Sequence, residues 1–72
     1  MNDKEKLNRL EELLDIDTDT LSPDIELRDL EQWDSMAVIS VMAMYDEVFE
    51  KIISASEVKH FKTIKDIMDQ ME

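Results

Sequence analysis

Three features of this 72-residue chain have a type and setting that could do chemistry: Ser35, a ladder of acids, and the single histidine, His60. Ser35 stands in the run Glu31-Gln32-Trp33-Asp34-Ser35-Met36. Eight acids and a single base, Arg28, lie between Asp15 and Asp34, whereas Ser35 to Tyr45 carries no charge. A small hydroxyl is therefore placed where a polar connection gives way to an apolar helix. The N-terminus of a helix offers unpaired N–H groups and the positive end of the helix dipole, so it favours an anion. A phosphate esterified to Ser35 would be stabilised there without an arginine. The plainer reading is that Asp34-Ser35 only caps the helix. No base stands in the run to activate Ser35 as a nucleophile, and His60 lies 25 residues away. His60 reads as a surface residue, and no catalytic residue is expected.

The acid ladder is a separate case. Asp15-x-Asp17-x-Asp19, with Glu26 at position 12, matches the acidic ligand spacing of an EF-hand calcium loop. Thr20, however, occupies position 6, where the sharp turn needs glycine. Ser22 replaces an apolar residue at position 8, and Pro23 sits at 9. The segment Asp15 to Glu26 is thus read as an acidic, solvated loop, with calcium binding kept as an alternative function and no metal ligands expected.

Bulk properties set the limits. Residues 1–72 make one domain. A chain of this size buries only about 60% of its unfolded surface, so its core is thin. The net charge of −11 makes nucleic acid and anionic membrane unsuitable partners. The acids either keep a small protein soluble or steer it towards basic partner surfaces, and charge alone does not choose. No apolar stretch approaches the roughly 20 residues of a bilayer span. The start, Met1-Asn2-Asp3-Lys4-Glu5, lacks the pattern of a secretory signal. Cysteine is absent, which excludes disulfides and thiolate metal sites. A cytoplasmic monomer, not inserted in membrane, is expected.

Elements that could position Ser35 follow from periodicity. Gly is absent and Pro23 is the only proline, so a sheet built on tight turns is excluded. Leu7, Leu10 and Leu14 align on one face of a first helix, with Lys4, Glu5, Asn8, Arg9, Glu11 and Glu12 as its wet side. The run Asp15 to Asp34 lacks periodicity and contains Ser22-Pro23-Asp24, a turn or one-turn helix start. Leu21, Ile25, Leu27, Leu30 and Trp33 punctuate this loop and should pin it to the core. A second helix fits Ser35 to about Glu50. Ser54-x-x-Glu57 is a capping box opening a short helix through Phe61. Thr63-x-x-Asp66 opens a last helix carrying Ile64, Ile67, Met68 and Met71. The expected fold is all-α: a four-helix bundle of three main helices and one short one, with a long loop between helices one and two.

On the second helix, residues placed about 100° apart put Val38, Val41, Met42, Tyr45, Val48 and Phe49 on a core stripe. Asp46, Glu47 and Glu50 lie opposite. Projected back towards Ser35, that charged side carries Met36, Ile39, Ser40 and Ala43. Either neighbouring elements bury Met36 and Ile39, or the face is a docking strip for partner proteins, apolar in the middle and acidic at its far end.

The order of parts (helix, long pinned loop, Asp-Ser-Met, uncharged helix, short helix, final helix) resembles the acyl carrier protein family. The motif that carries the resemblance is Leu30-Glu31-Gln32-Trp33-Asp34-Ser35-Met36, similar to the family's Asp-Ser-Leu signature with Met for Leu. It continues through Val41, Tyr45 and Phe49 and ends with Phe61-Lys62-Thr63-Ile64 leading into Asp66-Ile67, so it covers nearly the whole chain. The resemblance implies a 4′-phosphopantetheine arm on Ser35, added by a phosphopantetheinyl transferase using coenzyme A and magnesium. The arm's thiol would carry an acyl or aminoacyl group as a thioester and present it to loading and transfer enzymes. Asp34 would cap the helix and help present Ser35 to the transferase. Such a protein is a carrier and not an enzyme. An unmodified adaptor of the same fold, with Ser35 only a cap, is the remaining alternative.

Three departures from the family pattern bear on pathway. Gln32-Trp33 stands where the family usually has a glycine shortly before Asp-Ser, and Trp33 should stiffen that hinge by packing on the core or the arm. Ala37 and Ser40 stand where general fatty acid carriers have acids, leaving partner contacts to Met36, Ile39, Ser40 and Ala43, with Asp46 and Glu47 behind them. The first helix is short. These differences favour a specialised role over housekeeping fatty acid synthesis: an aminoacyl carrier, a polyketide-type carrier, or one serving acylation of surface polysaccharide. The cargo would lie among Val38, Met42, Ile53 and Val58 or stay in solvent.

Overall fold

The first helix begins where Asn2 can begin it. Its side-chain Oδ1 accepts the Glu5 N–H at 2.8 Å, satisfying one of the donors a helix start leaves unpaired. The computed structural model describes residues 2–71. Among them are four α-helices, α1 (Asp3–Leu14), α2 (Ser35–Phe49), α3 (Ala55–His60) and α4 (Ile64–Asp69), and one 3-10 turn, Leu27–Asp29. The protein is all-α, as its periodicity predicts. Two helices are long and two short: α4 has six residues, like α3, and is not a third main helix. Its end is tightened by Gln70 N–H to the Ile67 carbonyl and Met71 N–H to the Met68 carbonyl. Lys6 Nζ donates to the Met68 carbonyl at 3.3 Å and Lys51 Nζ to that of Gln70 at 3.1 Å. Two lysines thus satisfy carbonyls that another turn of helix would have used, and they suit the negative end of the dipole.

The start of α4 is the predicted capping box. Thr63 Oγ1 accepts the Asp66 N–H, while Asp66 Oδ2 accepts the N–H groups of Lys62 and Thr63. Those bonds, led by the one from Lys62, hold the Asp66 carboxyl below the usual aspartate range. At α3 the structure holds the forward half of the other box, Glu57 N–H to Ser54 Oγ at 3.2 Å.

The core gathers Leu10, Leu27, Val41, Tyr45, Val58, Ile64 and Ile67 around the α2 axis. Tyr45 is fully buried, and its hydroxyl donates to the Ile67 carbonyl at 2.7 Å, tying α2 to α4. Burial pushes the phenol pKa well above its ordinary value. The core stripe of α2 is rotated from the one expected. Ala37 and Met44 are buried with Val38, Val41 and Tyr45, Met42 and Phe49 are half-buried, and Val48 is 37% exposed. The cause is α1, whose Leu13 and Leu14 lie against the Ala37, Ser40 and Met44 side and pull the buried face towards it.

The largest departure concerns Glu11. Expected on the wet side of α1, it is 1% exposed. Its Oε2 accepts the N–H groups of Thr20 at 2.8 Å and Leu21 at 2.9 Å, and its Oε1 accepts Asn8 Nδ2 at 2.8 Å. Burial raises the pKa of this carboxyl, but the hydrogen bonds, that from Leu21 foremost, outweigh it and leave it below the ordinary value. The long loop after α1 is therefore fixed at its first turn by a buried anion.

Farther along, the loop joins the α3–α4 connection. Leu27 N–H donates to the Lys62 carbonyl at 2.8 Å, Ile64 N–H to that of Ile25 at 3.0 Å, and Lys65 N–H to that of Pro23 at 2.9 Å. Glu26 and Thr63 form an isolated antiparallel bridge. Leu21 and Leu27 are buried, and Ile25, Leu30 and Trp33 pack partly buried against the core, so the predicted pinning is present at all five positions.

A carboxyl whose pKa is lowered by folding stabilises the native state above its unfolded pKa, and that stabilisation is lost as pH falls through the folded value. Wild type is accordingly expected to be more stable than Glu11→Gln at pH 7, with the difference shrinking progressively below about pH 4.5. Glu11→Ala, which leaves the buried Leu21 N–H unpaired, should cost about 1–3 kcal/mol at pH 7. Urea unfolding of the three chains across this pH range measures both effects; a difference independent of pH would mean that the charge on Glu11 does not contribute.

Candidate functional site

Ser35 is approached through a stack of local turns. Leu30 N–H closes on the Leu27 carbonyl at 3.0 Å, and Trp33 N–H on that of Leu30 at 3.1 Å. Trp33 then lays its ring partly on the core. Positive φ angles occur at Asp15, Asp19 and Glu50 among the described residues and not between Glu31 and Ser35. This segment thus needs no glycine, and Gln32-Trp33 fits its backbone without strain.

Asp34 is extended, with φ −133° and ψ −171°, and its Oδ1 accepts the Ala37 N–H at 2.9 Å. Its carbonyl accepts the Val38 N–H at 3.1 Å. The cap is therefore Asp34, and the Ser35 hydroxyl takes no part in it. Ser35 is the first helical residue and is exposed. With Ala37 and Val38 satisfied by Asp34, the N–H groups of Ser35 and Met36 remain for an anion at the positive end of a 15-residue helix. These features suit a phosphate on the Ser35 oxygen.

Six further residues were expected to form a partner face. Met36 is 68% and Ile39 58% exposed, which excludes the alternative that neighbouring elements bury them. Ala43, Asp46 and Glu47 are exposed and Ser40 half-buried. Spacings of three and four residues line the six along one side of α2. The strip runs as a ridge between two open grooves. One, about 210 Å³, lies towards Arg9 and Leu13 of α1. The other, about 400 Å³, is lined by Ile39, Met42, Ala43, Asp46, Ile52 and Ile53. Ile52 is 92% exposed and extends the apolar strip beyond α2. Sequence reasoning missed it because Glu50 to Ser54 has no helical period. The available signal was the pair Ile52-Ile53 in an extended stretch, where one side chain must face out if the other faces in.

The remaining chemical candidates lie apart from Ser35. Asp15 ends α1 in the left-handed conformation, with φ 57°. Asp19 Oδ1 accepts Asn8 Nδ2 at 3.3 Å, and Glu26 pairs with Arg28 at 3.2 Å. No three acidic or histidine side chains among the described residues converge as metal ligands, and the acid ladder works as helix stop and loop scaffold. His60 is exposed at the end of α3, with Nδ1 2.8 Å from the Ser56 carbonyl. Of the residues expected to surround a cargo, Val38, Ile53 and Val58 are built into the core and Met42 edges the larger of the two grooves.

The sequence matches the family model for the phosphopantetheine attachment site over residues 7–71. The chain belongs to this family of carrier domains, which hold 4′-phosphopantetheine covalently and serve transferases and biosynthetic enzymes. No curated protein and no solved structure matches it significantly. Among the described residues no helix is long and apolar enough to cross a membrane.

If Asp34 alone makes the cap, Asp34→Ala should lose about 1 kcal/mol of stability, whereas Asp34→Asn and Ser35→Ala should each lose much less. Thermal or urea unfolding decides this; an equal loss for Ser35→Ala would mean that the serine shares the cap.

Proposed function

We propose that Ser35 is the attachment residue for the arm and that the chain carries an acyl or aminoacyl group as a thioester. The observation that carries this reading is the division of labour at the start of α2. Asp34 supplies the cap, so the Ser35 oxygen is exposed and uncommitted beside two unpaired N–H groups. In the attachment step, Ser35 Oγ forms a phosphodiester bond to the phosphopantetheine phosphate of coenzyme A as adenosine bisphosphate leaves. The hydroxyl proton goes to a base of the transferase, because none stands beside Ser35. Asp34 holds the helix start and helps present Ser35 to that enzyme and its magnesium ion. The chain positions and the partners catalyse.

The strip Met36, Ile39, Ser40, Ala43, Asp46 and Glu47 is the docking face for those partners, extended by Ile52. Its half nearest Ser35 is apolar, which supports service in a specialised pathway over the housekeeping fatty acid role. The net charge of −11 supports a monomer, and a cytoplasmic location is proposed with it.

Co-expression with a broad-specificity phosphopantetheinyl transferase, followed by intact-mass measurement, should add one phosphopantetheine-sized increment to wild type and none to Ser35→Ala. An increment on Ser35→Ala would remove the site assignment, and none on wild type would favour an unmodified adaptor. For the docking face, Ile39→Asp should lower kcat/KM of the modifying transferase about tenfold or more, because burial of a whole isoleucine contributes about 1.5–3 kcal/mol. Circular dichroism of this exposed-site variant should be unchanged. A rate equal to wild type would place docking elsewhere.

A further inference from the structure

A cavity of about 500 Å³ lies outside the Ser35 site and the α2 strip. It lies between the 3-10 turn and α3 and is lined by Glu26, Leu27, Arg28, Trp33, Lys59, Phe61 and Lys62. Its volume is that of a small-molecule site. Three of the eight basic residues in the chain meet there against one acid, a local balance of +2 on a protein of −11. Four other cavities carry balances of zero or below. Arg28 leans on Glu26 at 3.2 Å, and Lys62 lies close enough to Asp66 to lower its pKa. Lys59 has no ion pair among the described residues. Of these five cavities the cleft is the one with a net positive lining, and Trp33 and Phe61 give it apolar walls.

We infer that this cleft receives a cargo carrying its own negative charge, a short acyl group ending in a carboxylate or phosphate, packed on Trp33 and Phe61 and held by Arg28, Lys59 and Lys62. The inference rests on the proposed attachment at Ser35 and deepens it by naming the class of cargo. Trp33 is two residues from Ser35, at most about 7 Å along the chain, so the cleft lies well within the sweep of an arm anchored there. The bases do not serve the anchoring phosphate. The cavity beside the anchor is bounded by Asp34 and Met36, and its charged members are Asp15 and Asp34. The bases line the cleft together with Trp33, where the tip of a folded-back arm would bring its load. Arg28 presents a fork that matches a carboxylate or phosphate, and the two lysines add point charges. All three are solvent-facing, so their pull on an anion is short-ranged and weakened by salt.

The test uses the whole chain and its single tryptophan. A broad-specificity transferase loads the pantetheine, butyryl and succinyl forms from the corresponding coenzyme A thioesters, with loading verified by intact mass. Butyryl and succinyl match in length and differ in the terminal charge. Succinyl alone should shift Trp33 emission and the backbone amide signals of Lys59 and Phe61. Lys59→Gln and Arg28→Gln, loaded to the same mass, should abolish that shift, as should raising salt from roughly 0.05 to 0.5 M. Identical spectra for succinyl and butyryl would overturn the inference. A full shift already present with the bare thiol would also overturn it and assign the cleft to the arm itself. Loading that fails on wild type, or persists on Ser35→Ala, would instead sink the attachment assignment.

Discussion

The fold depends on one buried carboxylate. Glu11 sits in the interior of a thin core, where an unpaired charge would be prohibitive. Its two oxygens accept N–H groups from Thr20, Leu21 and Asn8, so the charge is spread over three donors and remains ionised. In exchange the first turn of an otherwise aperiodic loop gains a fixed position. The later ties of that loop to Lys62, Ile64 and Lys65 are made from this fixed start. The loop is then tied at Thr20, Leu21, Pro23, Ile25 and Leu27 in turn, and Asp34 stands at the head of α2 in the extended conformation that a cap requires.

A chain without glycine must build its reversals from other means. Asp15, Asp19 and Glu50 take the left-handed conformation that glycine would take freely. Two of the three are aspartates, whose short polar side chain tolerates that region better than most. Glu50 has no such advantage, and it sits at the negative end of α2 with no base in the last turn. The end of α1 at Asp15 likewise lacks a base in its last turn, so both long helices stop on an acid in the left-handed conformation. At α4 the same problem is solved from outside, by Lys6 and Lys51 reaching the terminal carbonyls. Lysines committed to helix ends leave few bases for the surface, which makes the cluster around Trp33 more distinctive.

What the sequence reveals here is what local rules govern. Helix starts at Ser35, Ser54 and Thr63 were legible because capping acts within four residues. The pinned loop was legible from its spaced apolar residues. The burial of Glu11 was not, because its partners are backbone N–H groups nine and ten residues away, which leave no mark on residue types. The rotation of the α2 stripe was likewise hidden. Periodicity gives a face within a turn or so of the helix, and the side on which α1 lands selects Met44 over Val48 within it. The strip from Met36 to Glu47 could be placed from spacing, but its exposure depended on what α1, α3 and the loop leave uncovered.

The surface that remains has a division its net charge conceals. On one side of Ser35 the α2 ridge offers Met36 and Ile39, then Asp46 and Glu47, suited to partners that bring apolar and basic groups. Apart from that ridge, Arg28, Lys59 and Lys62 surround an aromatic-walled cleft. The arm proposed on Ser35 would be rooted between Trp33, which lines the cleft, and Met36, which begins the ridge. Repulsion from the acidic body would drive an anionic load towards the bases, while a neutral load would feel no such preference. The cleft and the ridge share no residue, so under the proposed attachment at Ser35 an anionic load would be held against the carrier while the ridge stays free. Trp33, packed partly buried against the core where a flexible glycine could have stood, ties the cleft wall to the segment that leads into Ser35.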